Sequence, residues 1–272
     1  MSRYRFVDEK GEHLHTLDGK PLMGTTTVTG VLAKPLTWWA SGLAVGSLGW
    51  VKKLDTRQSS KDEVAMNARI RLESSKHALE TLKTLSPEEY LKRLDEAYRA
   101  HSVKLSSSAQ AGTDMHELLE NYVKAHMAGL LESVNYSDPR VKIFHEWTGK
   151  NVKRFLWAEG YCYSQKMWTG GCSDVGAELL DGSIVIIDFK SSKEAYDSHF
   201  IQIGGYAIMV EENGIVNFVG EPILKLEKPI SQFIVFPFGA SQVEPCVKYN
   251  VDEYKLGFEA CLVLHKILNK HN

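Results

Sequence analysis

The sequence predicts an α/β protein, on three observations. Ile184-Val185-Ile186-Ile187 is apolar and wholly β-branched, the mark of a strand buried on both faces. Asp181-Gly182 marks a tight turn just before it, so the preceding strand, roughly Cys172 to Leu179, folds back as a hairpin. Helical stretches open with readable start signals: Ser86-Pro87-Glu88-Glu89 sets a serine N-cap, a first-turn proline and a glutamate at the third position together.

Taken in order, Tyr4–Val7 and His13–Leu17 flank Asp8-Glu9-Lys10-Gly11 and read as a small hairpin. The run Thr25–Thr29 favours extended structure and offers a cap to the helix that follows. That helix, about Leu36 to Leu54, carries Trp38, Trp39 and Trp50, for which core packing and a stacking surface for bases are both open. Gln58-Ser59-Ser60 separates it from a long helix, Lys61 to Leu85, and the helix begun at Ser86 runs to about Lys104. Arg57, Lys61, Arg69, Arg71, Lys76 and Lys83 could line a path for DNA. The interspersed Asp62, Glu63, Glu73 and Glu80 suit a plain solvated face.

Ser106-Ser107-Ser108 leads into a further helix, Ala111 to Val123, with an apolar stripe at positions 115, 118, 119, 122 and 123. Ser137-Asp138-Pro139 opens another helix, ending near Lys153. Phe155 to Ser164 reads as a strand with Phe155, Trp157, Glu159 and Tyr161 on one face. A helix follows from Asp197 to Glu212, stopped by Asn213-Gly214. Its central Gly204-Gly205 costs about 1 kcal/mol per glycine relative to alanine, which points to close packing on the sheet or against nucleic acid. Ile215–Val219 and Gln232–Pro237 read as strands, and Asp252–Lys270 as a closing amphipathic helix. The expected organisation is a lead-in hairpin over residues 1–35, a helical region over 36–110, and a core over 111–272.

With 272 residues, 43% apolar and 24% charged, the chain has ordinary globular composition. A net charge of −2 announces no global field for nucleic acid, so a nucleic-acid role needs local patches. Cys162, Cys172, Cys246 and Cys261 form no CxxC pair, which argues against a zinc knuckle and for reduced thiols in the cytoplasm. The N-terminus lacks the apolar core of a signal peptide. The most apolar window, Gly30 to Val51, is broken by Lys34 and Pro35, so no membrane association is expected.

The chemistry gathers on the hairpin. Asp188 and Lys190 share one face of their strand and Phe189 turns to the other, while Asp174 stands where the hairpin can set it beside them. Two carboxylates and an ammonium suit phosphodiester hydrolysis with Mg²⁺ or Mn²⁺ held by oxygen ligands. Gly112 would allow close approach of backbone or phosphate near a helix start. His116, one turn on, could reach the metal or be a satisfied surface histidine. Glu159, on an otherwise aromatic strand face, needs a partner such as a lysine or a metal-bound water. Gln202 and Tyr206 lie one turn apart on the same helix face.

The ordered set Gly112-x-x-x-His116, Glu159, Gly171-x-x-Asp174, Asp188-Phe189-Lys190 and Gln202-x-x-x-Tyr206 resembles the RecB-like branch of the PD-(D/E)xK nuclease superfamily, over roughly Gly112 to Glu212. The segment Val31–Leu36 with Trp39-Ala40 looks like the leading helix of phage members. The resemblance implies a restriction-endonuclease-like mixed sheet flanked by helices, with the helical N-terminal half arching over the site. It implies His116, Asp174, Asp188 and the Phe189 carbonyl as ligands of one or two Mg²⁺ or Mn²⁺ ions, with Lys190 as the catalytic lysine. Glu159 would support catalysis, and Gln202, Tyr206 and Gly112 would serve DNA binding or steady the site. The cysteine spacing departs from that of relatives with an iron–sulfur cluster, so none is expected. The activity implied is a DNA exonuclease on single strands or ends, in phage-type processing or recombination, with recombination or replication proteins as partners. A duplex- or structure-specific endonuclease and a catalytically silent nucleic-acid-binding protein are the alternatives.

Overall fold

The computed structural model describes residues 3–9, 12–33 and 37–269. Lys10 and Gly11 of the expected turn, Lys34-Pro35-Leu36 of the expected leading helix and Lys270 lie outside the described residues. The chain divides into two compact units, Met1–Ala33 with Ala111–Asn272, and Lys34–Gln110.

The first unit begins with an antiparallel three-stranded sheet of β1 (Tyr4–Glu9), β2 (Glu12–Leu17) and β3 (Lys20–Pro21). Strand β4 (Met23–Gly24) leads into helix α1 (Thr25–Thr29). The threonine run is thus helical, not extended. Val28 is fully buried in one cluster with Phe258 and Leu262, and the Thr29 hydroxyl donates to the Thr25 carbonyl at 3.2 Å. Burial and local side-chain bonds outweigh a weak extended preference.

The second unit holds α2 (Thr37–Ser47), α3 (Lys61–Lys83) and the first part of α4 (Pro87–Met127). Capping boxes start both long helices. Ser60 and Glu63 exchange side-chain bonds, and the Ser86 N–H donates to Glu89 at 2.7 Å while the Glu89 N–H donates back at 3.2 Å. Two helices were expected between Ser86 and Val123, but α4 runs unbroken. Ser106 and Ser107 turn their hydroxyls onto the carbonyls of Ser102 and Lys104, so the serine run stays inside the helix. Trp38 is 89% exposed, and Trp39 and Trp50 are exposed as well, so none of the three is a core residue. Arg57 pairs with Asp55, Lys76 with Glu73, and Arg71 donates to the Val51 carbonyl, so three of the six cations on the expected path are engaged locally.

The rest of the first unit contains α5 (Pro139–Asn151), β5 (Val152–Ser164), β6 (Thr169–Leu179), β7 (Ile184–Lys190), α6 (Asp197–Asn213), β8 (Ile215–Val216), β9 (Pro222–Leu224), β10 (Gln232–Pro237), β11 (Cys246–Lys248) and α7 (Val251–Leu268). Its sheet runs β11-β10-β7-β6-β5-β8-β9, with β4 beside β6. It is mixed, because β7 is parallel to β10 and antiparallel to β6. Alternation along β7 feeds two cores. Val185, Ile187 and Phe189 pack with Met115, Leu119 and Phe144, whereas Ile184 and Ile186 pack with Phe200 and Ile203. The fold is therefore a mixed α/β sheet covered by helices on both faces.

Gly204 sits where α6 crosses α7: a Cβ there would stand 2.4 Å from the Tyr254 carbonyl oxygen. The glycine pair is explained by helix–helix contact, not by the sheet or by nucleic acid. Gly204→Ala is expected to lower stability by about 1–3 kcal/mol through overpacking, even though alanine is the better helix former. Chemical denaturation checks this, and a more stable variant would refute the close-contact explanation.

Candidate active site

The β6–β7 ladder pairs Glu178 with Ile184 at one end and Val175 with Ile187 at the other, and stops there. The next residues along, Asp174 and Asp188, stand where the strands part, while β7 stays paired to β10 as far as Pro237 and Lys190. A parted strand needs new partners for its backbone. Asp174 supplies one, because its Oδ2 accepts the Phe189 N–H at 2.9 Å.

Asp188 is 2% exposed. The Lys190 ammonium donates to its Oδ1 at 3.0 Å and lies 2.7 Å from Oδ2. That second oxygen is outside hydrogen-bond geometry and buried without a hydrogen-bond partner among the described residues. Burial pushes the Asp188 carboxyl up to about 6, against the pull of the Lys190 charge. Burial opposes charge on Lys190 too, but Asp188 and Asp174 outweigh it and hold the ammonium above its ordinary range.

His116 is carried by α4, whose neighbouring Met115 and Leu119 are buried in the core. Its Nδ1 lies 3.3 Å from Asp174 Oδ2, and its ring meets Phe189 edge-on at 6.2 Å. Burial works against the imidazolium, yet the hydrogen bond to Asp174 and that residue's charge raise the histidine's pKa. Asp174 shows the reciprocal balance. Burial raises it, and the stronger combined pull of His116, Lys190 and the Phe189 N–H leaves it lowered.

From α6, the Gln202 amide donates to the Tyr206 hydroxyl at 2.8 Å. Burial and the charges of Asp188 and Asp174 raise the phenol, so this pair belongs to the same electrostatic neighbourhood. Gly171 makes the approach possible. A Cβ there would fall 2.6 Å from the Tyr206 ring and 2.4 Å from Thr25 Oγ1.

Two expectations need correction. Gly112 lies deep inside α4 rather than near a helix start, so its N–H is spent within the helix. A Cβ there would meet Ser191 Oγ at an ordinary 3.6 Å, so no close approach demands glycine. Glu159 does not share a regular face with Phe155 and Trp157. Register shifts early in β5 send Phe155 and Trp157 into opposite cores, and Glu159 adopts a left-handed φ of 54°. It stands between the pairs Ala158–Val175 and Gly160–Ser173, hence across from Asp174.

Its partners are a lysine and a second acid. Lys124 Nζ is 4.0 Å from Glu159 Oε2 and also pairs with Glu120. Burial, then the hydrogen bond to Glu120 and its charge, push Glu159 up to about 7. Glu120 is the residue that motif reasoning missed. Its only signal is helical spacing, one turn after His116 and one before Lys124. His116, Glu120, Glu159 and Asp174 line a cavity of about 160 Å³, whose lining does not include Asp188 or Lys190. Among the described residues, no set of three or more His, Cys, Asp or Glu side chains is arranged to hold a metal ion. Asp188 pairs with Lys190, Asp174 with His116, and Glu120 and Glu159 with Lys124.

No family model matches the chain, and no curated protein sequence matches it. No helix among the described residues is long and apolar enough to cross a membrane.

Glu120→Gln should lower the Glu159 pKa from about 7 toward the usual carboxylate range, because a negative neighbour is replaced by an amide that can donate. Carboxyl-carbon NMR titration reads this directly. An unmoved titration would show that burial alone sets the value.

Proposed function

We propose that this protein is a divalent-metal-dependent deoxyribonuclease of the RecB-like PD-(D/E)xK type, acting on single-stranded or end-containing DNA by exonucleolytic hydrolysis. The observation that carries the reading is the convergence at the parted strand ends: Asp174 on the Phe189 N–H at 2.9 Å and Lys190 against Asp188 at 2.7 Å. A mixed sheet with helices on both faces is compatible with a restriction-endonuclease-like fold. Exonucleolytic preference and DNA as substrate rest on the ordered motif set.

The donor chemistry fits Mg²⁺ or Mn²⁺. Asp174 and Asp188 offer hard oxygens, and the Asp188 Oδ2 atom is buried with no hydrogen bond of its own. His116, Asp174, Asp188 and the Phe189 carbonyl would hold the ion. When bound, the ion supplies Lewis-acid charge against a phosphoryl oxygen.

The chain's own residues do the rest. Lys190, 2.7 Å from Asp188, is placed to offset charge on the phosphate. Glu159, which burial and Glu120 push up to about 7, lines the cavity beside Asp174 and His116 and is suited to take the proton that an attacking water sheds. In hydrolysis the water oxygen bonds to phosphorus, the bond from phosphorus to the sugar oxygen breaks, and that oxygen is protonated. The Gln202–Tyr206 pair, against which Gly171 packs, would steady the site from within the electrostatic reach of Asp188 and Asp174.

End-labelled single-stranded DNA should be degraded with Mn²⁺ or Mg²⁺, and chelation should stop it. Asp188→Asn and Lys190→Gln should each cut the rate by roughly 10²- to 10³-fold or more, with cooperative unfolding retained. Wild-type rates in either variant refute the site. DNA binding without products under any metal favours the silent alternative, and circles cut as fast as linear strands favour an endonuclease.

A further inference from the structure

The inner face of the N-terminal hairpin grades from core to cleft. Its cross-strand pairs are Tyr4 with Leu17, Phe6 with His15, and Asp8 with His13. Tyr4 and Leu17 are fully buried, and Tyr4 stacks on Tyr163 at 5.0 Å and bonds His15 Nδ1 at 2.6 Å. The Phe6 N–H donates to the Phe218 carbonyl at 2.9 Å. The hairpin is thus anchored at its base, and it presents half-buried Phe6 and exposed His13 further out.

Those two rings border two cavities at once. One is the 160 Å³ cavity of His116, Glu120, Glu159 and Asp174; the other, about 430 Å³, is lined by Thr25, Gly171 and Tyr206 among others. Phe6, His13 and Cys172 belong to both linings. Together they reach the size of an ordinary small-ligand cleft, about 300–1,000 Å³. One end is acidic. The other is aromatic and hydroxylic, and among the described residues no lysine or arginine lines either cavity. His116 brings the cationic potential to the acidic end, and the hairpin brings aromatic rings to the other. Phe6 lies 5.7 Å from His13 in a stacked arrangement, 5.0 Å from the buried His15 and 4.7 Å from Tyr161, and its ring stays half-buried at the cleft edge.

We propose that Phe6 and His13 form a stacking subsite for an unpaired nucleobase next to the scissile phosphodiester. The subsite rests on the nuclease assignment above and names how that site holds its substrate: by the face of a base, without reading its sequence. A phenylalanine that merely fastens the hairpin to Tyr161 would not respond to the identity of the substrate.

The test compares end-labelled single-stranded DNA carrying either a normal or an abasic nucleotide at the position cleaved, in Mn²⁺. Wild-type protein is expected to show a KM roughly 5- to 100-fold higher on the abasic strand, the span one base–aromatic stack supplies. Phe6→Ala should raise KM on normal DNA by a similar factor and lose the abasic penalty, Phe6→Trp should restore both, and His13→Ala should act in the same direction more weakly. Equal KM for both strands in the wild type, or an abasic penalty that survives Phe6→Ala, overturns the subsite and leaves the nuclease standing. A wild type that cuts neither strand overturns the nuclease assignment itself. Should Phe6→Ala fail to fold by circular dichroism, the wild-type comparison and His13→Ala decide.

Discussion

The end of the β6–β7 ladder after Val175 and Ile187 is the constraint on which the site depends. A strand hydrogen-bonded on both sides, as β7 is to β6 and β10, has no free backbone donors. Once β6 and β7 part, the Phe189 N–H must find another acceptor, and Asp174 takes it. The same parting leaves Asp188 facing into the protein, where Lys190 at 2.7 Å answers its charge and His116 adds a smaller pull. Breaking such a buried pair from one side typically costs about 3–5 kcal/mol, because the remaining charge is stranded. The hydrophobic alternation of β7 makes this arrangement tolerable. Phe189 and Ile187 pack into the Phe144 core on one face, and Ile186 into the Phe200 core on the other, so the strand cannot rotate its polar tip away.

Around that tip the charges interlock. His116 is raised because it faces Asp174, and Asp174 is lowered because it faces His116 and Lys190. Glu159 is raised because burial and Glu120 both oppose its ionisation, with Lys124 only partly compensating. A net charge of −2 gives no hint of this local density. Like charges pressed together in a part-buried cleft are costly, and proteins keep such arrangements mainly where a cation or a reaction uses them.

Tertiary contact also settled the meaning of the glycines and aromatics. Gly171 exists for the Tyr206 ring and Gly204 for the backbone of α7, two close approaches that look alike in sequence. The tryptophans of the helical unit look like core residues from their hydrophobicity, yet Trp38 stands almost fully in solvent. Glu159 escaped period-two reasoning because register shifts in β5 reset the alternation before it, and Glu120 escaped motif reasoning because a lone acid on a helix carries no pattern.

From the sequence alone came the buried hairpin, the strand that ends in Asp188-Phe189-Lys190, the helix starts at Ser86 and Asp138, and the helical placement of His116, Gln202 and Tyr206. These rest on local rules of alternation, capping and turn chemistry, which act within a few residues. Only the tertiary structure decided where the strands part, that Asp174 bonds the Phe189 N–H, that Glu120 joins Glu159, that α4 runs unbroken through its serines, and that Thr25–Thr29 is a helix. Each of these depends on partners far away in the chain, and no local pattern records which distant side chain will arrive to satisfy a buried group.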